Sequence, residues 1–397
     1  MKRKRALLLT VSMLVLIFAV QVTTAYTKTV SKEPIKIGAV LPLTGGLSIH
    51  APFNKGGMEV AIDEFNWQIH GRPIKIIYED DNSFDEVMAL QKFRKLCEVD
   101  KVQVMFGPMA SSSLLGTETY IDVVKMPTFQ IGWQGEFKAW DKPGWQFAAG
   151  GALAQQAYPG GTLAYKMGHR TATTIGVDYE TGYQGAGAFA DGFRKAGGTV
   201  VQQQWAPMGT PDWGPYFSGL KKADCTAAIV LGGDMMTLAK QWHEFGLWDK
   251  RPLIYLANEG LLSSTLKQLG DFMQGLFSVT DYTWTIDTPK NKKFVSAFEA
   301  KTGLKPSPIA FITYINMSLA LHAIEKAGGN TDPEAIREAV LGLTIETPTG
   351  PVTFDKEKGY TIKNIFGTEV QKVNGELAFV VINTFPNAPW PGYYTKP

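Results

Sequence analysis

Apolar positions along this chain alternate between two patterns, one typical of buried strands and one typical of amphipathic helices. Residues 35–41 and 73–78 are short, predominantly apolar runs, which predict buried strands. Between them, apolar residues recur at intervals of three and four, which predicts a helix over residues 54–69 with one apolar face. A strand, a glycine-containing turn and a helix therefore follow one another near the start of the chain.

The alternation repeats in two series, one before residues 146–151 and one after them. In the second series, a helical pattern follows each predicted strand, at residues 174–177, 199–204, 227–231 and 253–256. Repeated strand–helix units of this length predict parallel sheets with helices on both faces. Two series predict two similar lobes, each a doubly wound α/β unit.

The last third of the chain departs from this order. Three helical patterns follow one another there, at residues 289–302, 309–327 and 333–342. The dipeptide Asn374-Gly375 lies between two strand patterns, at 365–373 and 378–382, and predicts a hairpin. Residues 385–394 are rich in proline and aromatic side chains, which predicts an extended tail held against a surface.

The first 25 residues have the pattern of a secretory signal. Four basic residues, Lys2 to Arg5, precede an apolar run over 6–22 and small residues at 23–25. A retained anchor helix is the alternative, although a run of about 17 residues is short for a membrane span. We expect cleavage after residue 25 and a location in the periplasm.

Charge and cysteine content narrow the function classes. Loss of the four basic residues with the signal changes the formal net charge from +2 to −2, which argues against nucleic acid as a partner. Cys97 and Cys225 fall in different predicted elements, so we expect two separate thiols, although export permits a disulfide. The five histidines have no metal-ligand spacing, and no metal or cofactor is predicted.

Polar residues at the carboxyl ends of the predicted strands are the candidates for binding, because ligands gather there in open α/β sheets. The run Ser111, Ser112 and Ser113 begins a predicted helix, where unpaired amides and the helix dipole favour an anion. Helix capping by a single serine is the alternative interpretation. Six further candidates follow other strands: His50, Trp133, Gln134, Tyr183, Asp234 and Glu259.

Each of these six residues also has an ordinary interpretation. Glu259 and Asp234 are either ligand-binding carboxylates or solvated loop acids. Trp133 is either a wall of the site or a core residue. The sequence contains no Gly-x-Ser-x-Gly elbow, phosphate-binding Gly-x-x-x-x-Gly-Lys loop or His-Glu-x-x-His motif, so no enzyme is predicted.

Taken in order, several segments resemble the leucine/isoleucine/valine-type (type I) periplasmic solute-binding proteins of ABC transporters. These segments are residues 35–46, 61–66, 78–81, 106–113, 258–260, 309–327 and 350–355. The resemblance implies two α/β lobes joined by a three-segment hinge, with crossovers near 147–151, 279–284 and 344–350. Lobe 1 then comprises residues 33–149 and 281–346, and lobe 2 comprises residues 150–280 and 347–397.

The resemblance also implies roles for the candidate residues. The serine run matches the family's carboxylate-binding serine, and Glu259 matches the acid that takes the ligand's amino group. His50 and Tyr183 match aromatic residues of the first loop of each lobe. Trp133 and Gln134 depart from the family, which often has a small hydroxyl residue there, so an aromatic carboxylate, an amide or a modified amino acid is a credible ligand.

These inferences together predict a monomeric periplasmic protein that captures a small polar solute by hinge closure and delivers it to an ABC transporter permease. Two alternatives remain open. The closed form could dock on a receptor or kinase and act as a sensor. A secreted hydrolase is the other alternative, with His50 and the serine run as the one conceivable catalytic pair.

Overall fold

The computed structural model describes residues 32–132, 143–150, 153–258, 261–392 and 394–397. The predicted signal segment, Trp133, Gln134 and Glu259 lie outside these residues. Residues 34–397 form one compact unit that contains two β-sheets.

The first sheet is almost entirely parallel. Its strand order is β2-β3-β1-β4-β5-β6, and only the short β2 runs antiparallel to its neighbour. The strands are β1 (Ile35–Leu41), β2 (Gln68–Ile69), β3 (Arg72–Asp80), β4 (Val104–Phe106), β5 (Thr128–Phe129) and β6 (Gln146–Phe147). The helices between them are α1 (Ala51–Asp63), α2 (Glu86–Glu98) and α3 (Ser111–Val124), and a 3₁₀ turn (Ser48–His50) precedes α1.

The second sheet begins with the parallel order β8-β7-β9-β10-β11 and continues through antiparallel strands from the end of the chain. Its parallel strands are β7 (Thr171–Val177), β8 (Thr199–Ala206), β9 (Cys225–Ile229), β10 (Leu253–Tyr255) and β11 (Phe277–Thr280). The helices are α4 (Leu153–Lys166), α5 (Glu180–Lys195), α6 (Gly214–Ser218), α7 (Gly233–Glu244) and α8 (Ser263–Leu269), with a 3₁₀ turn at Asp271–Met273.

The last third supplies helices to the first lobe and strands to the second. The helices are α9 (Pro289–Thr302), α10 (Pro308–Lys326) and α11 (Pro333–Val340), and the strands are β12 (Thr344–Thr347), β13 (Gly350–Phe354), β14 (Thr361–Val373) and β15 (Glu376–Ala388). Helix α10, which is buried along most of its length, packs on α1, and the Tyr314 hydroxyl donates to Glu64 at 2.7 Å. The strand β14 pairs with β11, so the hairpin β14–β15 extends the second sheet.

The structure corrects two predicted boundaries. The helix predicted over 54–69 ends at Asp63, because Asn66 and Trp67 adopt positive φ and Ile69 then pairs with Arg72 in a small hairpin. The hairpin strands β14 and β15 are each 13 residues long, well beyond the predicted 365–373 and 378–382.

A buried polar cluster connects the segments that pass between the two sheets. The Ala149 amide donates to Asn316 Oδ1 at 2.9 Å, and the Thr361 hydroxyl donates to the Ala149 carbonyl at 2.6 Å. The Lys363 ammonium lies 2.7 Å from Asp281 Oδ2, and each of these two side chains is only 1% exposed. These contacts bring together four parts of the chain that are far apart in the sequence.

The two cysteines are free and lie in different lobes. Cys97 is a half-buried residue of α2, and Cys225 is a buried residue of β9. Burial raises the pKa of each thiol to about 12. Among the helices that the structure describes, none is both long enough and apolar enough to cross a bilayer.

Candidate functional site

A cavity lies between the two lobes, where the carboxyl ends of both sheets meet. It holds about 420 Å³ of space between protein atoms, part of it at the open mouth. The first lobe contributes Leu47, His50, Phe84, Met109, Ala110, Ser111 and Ile309, and the second lobe contributes Tyr179, Thr181, Leu231 and Gly232. We call this cavity the cleft.

The amino end of helix α3 opens on the cleft. Ala110, the residue before the helix, has an extended backbone and offers no side-chain cap. The Ser112 amide instead donates to the Tyr179 hydroxyl of the opposite lobe at 2.9 Å. The first amides of a helix have no acceptor within the helix, and the Tyr179 oxygen from across the cleft thus accepts from one of them.

Tyr179 retains a proton for a further hydrogen bond. Burial raises the pKa of its hydroxyl, which therefore stays protonated near neutral pH. The oxygen accepts from the Ser112 amide and also interacts with the Ser111 hydroxyl, and a tyrosine hydroxyl carries one hydrogen with which it can donate. Ser111, which is 2% exposed, lines the cleft beside this hydroxyl.

The serine run does not act as one unit. Ser113 is fully buried, and its hydroxyl points toward the Ser83 carbonyl, 3.5 Å away within the first lobe. Ser111 faces the cleft and Ser112 presents its backbone amide. The expectation that Ser113 contacts a ligand is therefore corrected, since successive residues of a helix point in directions about 100° apart.

His50 lines the cleft as a neutral imidazole. The side chain is 1% exposed, and burial lowers its pKa to about 4. Its Nδ1 makes no hydrogen bond within the part of the chain that the structure describes. A buried ring nitrogen without a partner is a position for a ligand hydroxyl or carbonyl group.

The remaining cleft wall is mainly apolar. It is formed by Leu47, Phe84, Met109, Leu231 and Ile309. Among the described lining residues there is no Asp, Glu, Lys or Arg. The wall suits a ligand with an apolar body, and the polar groups of α3, Tyr179 and His50 suit its polar ends.

The structure places Tyr183 outside the cleft. Its hydroxyl hydrogen-bonds to Asp178, and its ring packs edge-on against Trp205 with centroids 5.0 Å apart. Helix α5 begins at Glu180, earlier than the predicted residue 185, so Tyr183 lies two residues, about 200° around the helix, beyond Thr181, which lines the cleft. Tyr179 and Thr181, which the sequence did not single out, line the cleft in its place.

Asp234 also has a structural role in place of the predicted ligand contact. It is 9% exposed, and its Oδ2 accepts a hydrogen bond from the Gly209 amide at 2.8 Å. The carboxylate thus holds the loop after β8 against α7, while Gly232, two residues earlier, lines the cleft. Burial raises the pKa of Asp234.

Three predicted site residues lie outside the described part of the chain. Trp133 and Gln134 follow β5, and Glu259 follows Asn258, which is 3% exposed. Their roles remain predictions. No cluster of three or more His, Cys, Asp or Glu side chains able to hold a metal ion occurs among the residues that the structure covers.

Comparison with protein families explains this arrangement of two lobes around a cleft. A family model described as periplasmic binding protein matches residues 34–375. The chain belongs to the periplasmic binding protein family. This periplasmic binding protein captures a small solute for an ABC transporter, and the predicted family, α/β class and two-lobed architecture are confirmed.

Individual relatives cover nearly the whole chain. The periplasmic binding protein is 24% identical over 383 residues to a Leu/Ile/Val-binding protein homolog 6 from Brucella suis, covering 95% of this chain and 96% of the relative. It is similar to the structure of an ABC transporter substrate-binding protein from Sphaerobacter thermophilus, with a TM-score of 0.84 and 29% identity, covering 89% of this chain and 98% of the other.

A further solved structure is a solute-binding protein of an ABC transporter from Rhodopseudomonas palustris BisB5, in complex with 3,4-dihydroxybenzoic acid. The TM-score is 0.82 and the identity 25%, covering 91% of this chain and 99% of the other.

Proposed function

We propose that the solute of this periplasmic binding protein is an aromatic carboxylate. The observation that carries the proposal is the composition of the cleft, where an apolar wall adjoins the amino end of α3. In this proposal lobe 1 comprises residues 33–149 and 281–346, and lobe 2 comprises residues 150–280 and 347–397.

The apolar wall supports an aromatic body. Phe84 and Met109 of lobe 1 face Leu231 of lobe 2 across the cavity. A ring between these side chains loses the water on both of its faces only when the lobes are closed. Each square ångström of apolar surface that is buried in this way stabilises the complex by roughly 25 cal/mol. Ring burial therefore links binding to closure.

The carboxylate end has two hydroxyl donors. The hydroxyls of Ser111 and Tyr179 lie at the amino end of α3, where the helix dipole also favours a negative charge. A hydrogen bond to a charged group contributes about 1.5–3 kcal/mol. Because these donors belong to opposite lobes, the carboxylate holds the lobes together.

A hydroxyl substituent on the ring has a partner in His50. The neutral imidazole has an unpaired Nδ1, which accepts or donates according to its tautomer. The Rhodopseudomonas palustris protein, crystallised with 3,4-dihydroxybenzoic acid, supports this choice of ligand class.

A branched-chain amino acid is the second candidate. The Brucella relatives are named Leu/Ile/Val-binding protein homologues, and Glu259 is the sequence candidate for the ammonium group. Such a ligand brings a positive charge that needs an acidic partner. The two candidates therefore differ in their dependence on Glu259.

The mechanism is capture by hinge closure. The ligand contacts both lobes only in the closed form, so binding shifts the population toward that form, which then docks on the permease. No bond in the solute is broken. We infer that residues 1–25 are cleaved during export and that the mature protein acts in the periplasm as a monomer.

The first test is calorimetric titration of the mature protein, residues 26–397, with four compounds. We expect binding of 3,4-dihydroxybenzoate and benzoate, and much weaker binding of benzyl alcohol, which lacks the carboxylate, and of leucine. Binding of leucine alone, together with its loss in Glu259→Gln, would establish the amino-acid alternative.

A pair of variants tests the carboxylate contact. Ser111→Ala removes a cleft hydroxyl, and we expect affinity for benzoate to fall by about 1.5–3 kcal/mol. Ser218→Ala is the matched control, because Ser218 is an exposed residue at the end of α6. Equal affinities of the two variants would contradict the assignment.

A further inference from the structure

The residues after β15 follow a defined path along helix α5. Near its start, the Trp390 side chain is 9% exposed and its ring lies 5.4 Å from that of Tyr360. The Tyr394 amide donates to Gln184 Oε1 at 3.0 Å, and the Tyr394 hydroxyl donates to Asp191 Oδ2 at 3.0 Å. We call residues 389–392 and 394–397 the tail.

Helix α5 is shaped to receive the tail. A Cβ atom at Gly187 would lie 2.5 Å from Tyr394 Cβ, closer than two such atoms can approach. The missing side chain at Gly187 therefore creates the space that Tyr394 fills. Two hydrogen bonds and a complementary surface fix Tyr394 on this helix.

The tail ends at the loop that contributes to the cleft. Lys396 Nζ lies 2.7 Å from Asp178 Oδ1, which also accepts from the Tyr183 hydroxyl, and 5.6 Å from the centre of the Tyr183 ring. The ammonium and the hydroxyl together hold the pKa of Asp178 below its ordinary value. The next residue, Tyr179, crosses the cleft to the Ser112 amide.

We propose that Lys396 and Tyr394 are positioning residues, which order the loop after β7 (Asp178 and Tyr179) together with the first turn of α5 (Glu180–Tyr183), and so hold the Tyr179 hydroxyl ready for the opposite lobe and for the ligand. None of the tail residues lines the cleft. The contribution of the tail is to restrict the loop before binding, because a loop that becomes ordered only on binding reduces affinity by its lost conformational entropy.

The strength of the contact limits the expected effect. The Lys396 and Asp178 side chains are 46% and 39% exposed, and ion pairs of this kind contribute little to global stability. The tail therefore changes local order much more than the melting temperature. This difference separates a positioning role from a general structural one.

The decisive experiment is hydrogen exchange of the ligand-free mature protein, comparing the wild type with Lys396→Met. We expect the amides of residues 179–183 to exchange about two- to fivefold faster in the variant, with the melting temperature nearly unchanged. Because no ligand is present, this result does not depend on the identity of the solute.

Several variants control this measurement. Lys372→Met removes another exposed ion pair, with Asp271 at 2.6 Å, and the Lys372 side chain is also 46% exposed; it should leave residues 179–183 unchanged. When Asp178 is already replaced in Asp178→Asn, adding Lys396→Met should not change the exchange rate further. The single variant Lys396→Arg keeps the positive charge and should preserve the wild-type exchange rate. Unchanged exchange in Lys396→Met, or equal acceleration by Lys372→Met, would overturn the proposal.

A titration then connects the loop to binding. With 3,4-dihydroxybenzoate as the probe, we expect affinity in Lys396→Met to fall by about two- to fivefold, and the loss to shrink at 1 M salt. Faster exchange combined with no binding of the probe, even to the wild type, would contradict the proposed ligand and leave the positioning role supported. Faster exchange with unchanged affinity for a probe that does bind would show that the loop's order does not serve the site.

Discussion

The neutral state of His50 makes the stability of the protein depend on pH. Its folded pKa of about 4 lies below the ordinary value of 6.5. As the pH falls below 6.5, His50 is protonated in the unfolded chain, whereas in the folded protein it stays neutral down to about pH 4. The contribution of neutral His50 to the free energy of unfolding is therefore lost between these two pH values. We expect His50 to reduce the free energy of unfolding by about 2 kcal/mol between pH 7 and pH 5.

Urea unfolding of the wild type and of His50→Gln at pH 7 and pH 5 measures the contribution of His50. The change in the free energy of unfolding between the two pH values in the variant is subtracted from the change in the wild type. The comparison is needed because burial raises the pKa of Asp81 to about 6, which changes stability in the opposite direction as the pH falls. Equal pH dependence in the two proteins would show that His50 is accessible to protons in the folded state.

The two tyrosines of the loop after β7 should differ in their effect on binding. Tyr179→Phe removes the hydroxyl that accepts from Ser112 across the cleft, and we expect affinity for the solute to fall at least tenfold. Tyr183→Phe removes a hydroxyl bonded to Asp178 at the surface, and we expect at most a fewfold loss. Titration calorimetry compares them, and a larger loss for Tyr183→Phe would restore the sequence-based assignment.

At the scale of elements, each lobe contains a helix pair that packs through glycine. A Cβ at Gly57 of α1 would lie 2.3 Å from the Ala310 carbonyl oxygen of α10. A Cβ at Gly161 of α4 would lie 2.2 Å from the Phe189 carbonyl oxygen of α5. In both pairs the backbones approach so closely that any side chain must separate the helices.

We therefore expect Gly161→Ala to lower the free energy of unfolding by about 1–3 kcal/mol, the cost of overpacking. Gly116→Ala in α3 is the matched control, because its Cβ would meet only Glu86 at an ordinary 3.6 Å. There the higher helix propensity of alanine should stabilise the protein by about 0.5–1 kcal/mol. Denaturant unfolding of both variants distinguishes the packing effect from propensity.

Periodicity predicted the order of strands and helices because buried parallel strands and amphipathic helices impose different spacings on the apolar residues. It was less informative where a boundary depends on local backbone geometry. Helix α1 ends at Asp63 because Asn66 and Trp67 adopt positive φ. The apolar spacing continues to Ile69, so the sequence pattern predicted a longer helix. The early start of α5 at Glu180 was missed because no capping side chain marks it.

At the scale of the whole molecule, the buried ion pair between Asp281 and Lys363 joins the end of β11 to β14. Both side chains are 1% exposed, so removal of one partner leaves an uncompensated charge in the interior. We expect Lys363→Met to reduce the free energy of unfolding by about 3–5 kcal/mol. Denaturant unfolding measures this change.

The double variant Asp281→Asn with Lys363→Met should recover part of that loss, because no buried charge then remains. Lys372→Met, which removes an exposed pair, should cost at most about 1 kcal/mol. A loss in Lys363→Met no larger than in Lys372→Met would show that water reaches Asp281.

The cleft was predicted in outline, since ligands gather at strand ends whatever the solute. Its particular residues were harder to predict. Ser111 lines the cleft, whereas the directions of Ser113, Tyr183 and Asp234 depend on helix phase and on loop contacts from distant parts of the chain. Phe84 and Met109 are ordinary apolar residues in the sequence and become cleft walls only through the fold.

Because both native thiols are shielded, the native protein should react little with thiol-specific labels. Maleimides react with thiolates, and a pKa of about 12 leaves almost none at neutral pH at Cys97 or Cys225. Cysteines introduced at exposed Ile49 in one lobe and Met208 in the other would then be the reactive pair. Two dyes attached there would convert the opening and closing of single molecules into a fluorescence signal, without removal of any native residue that packs the core.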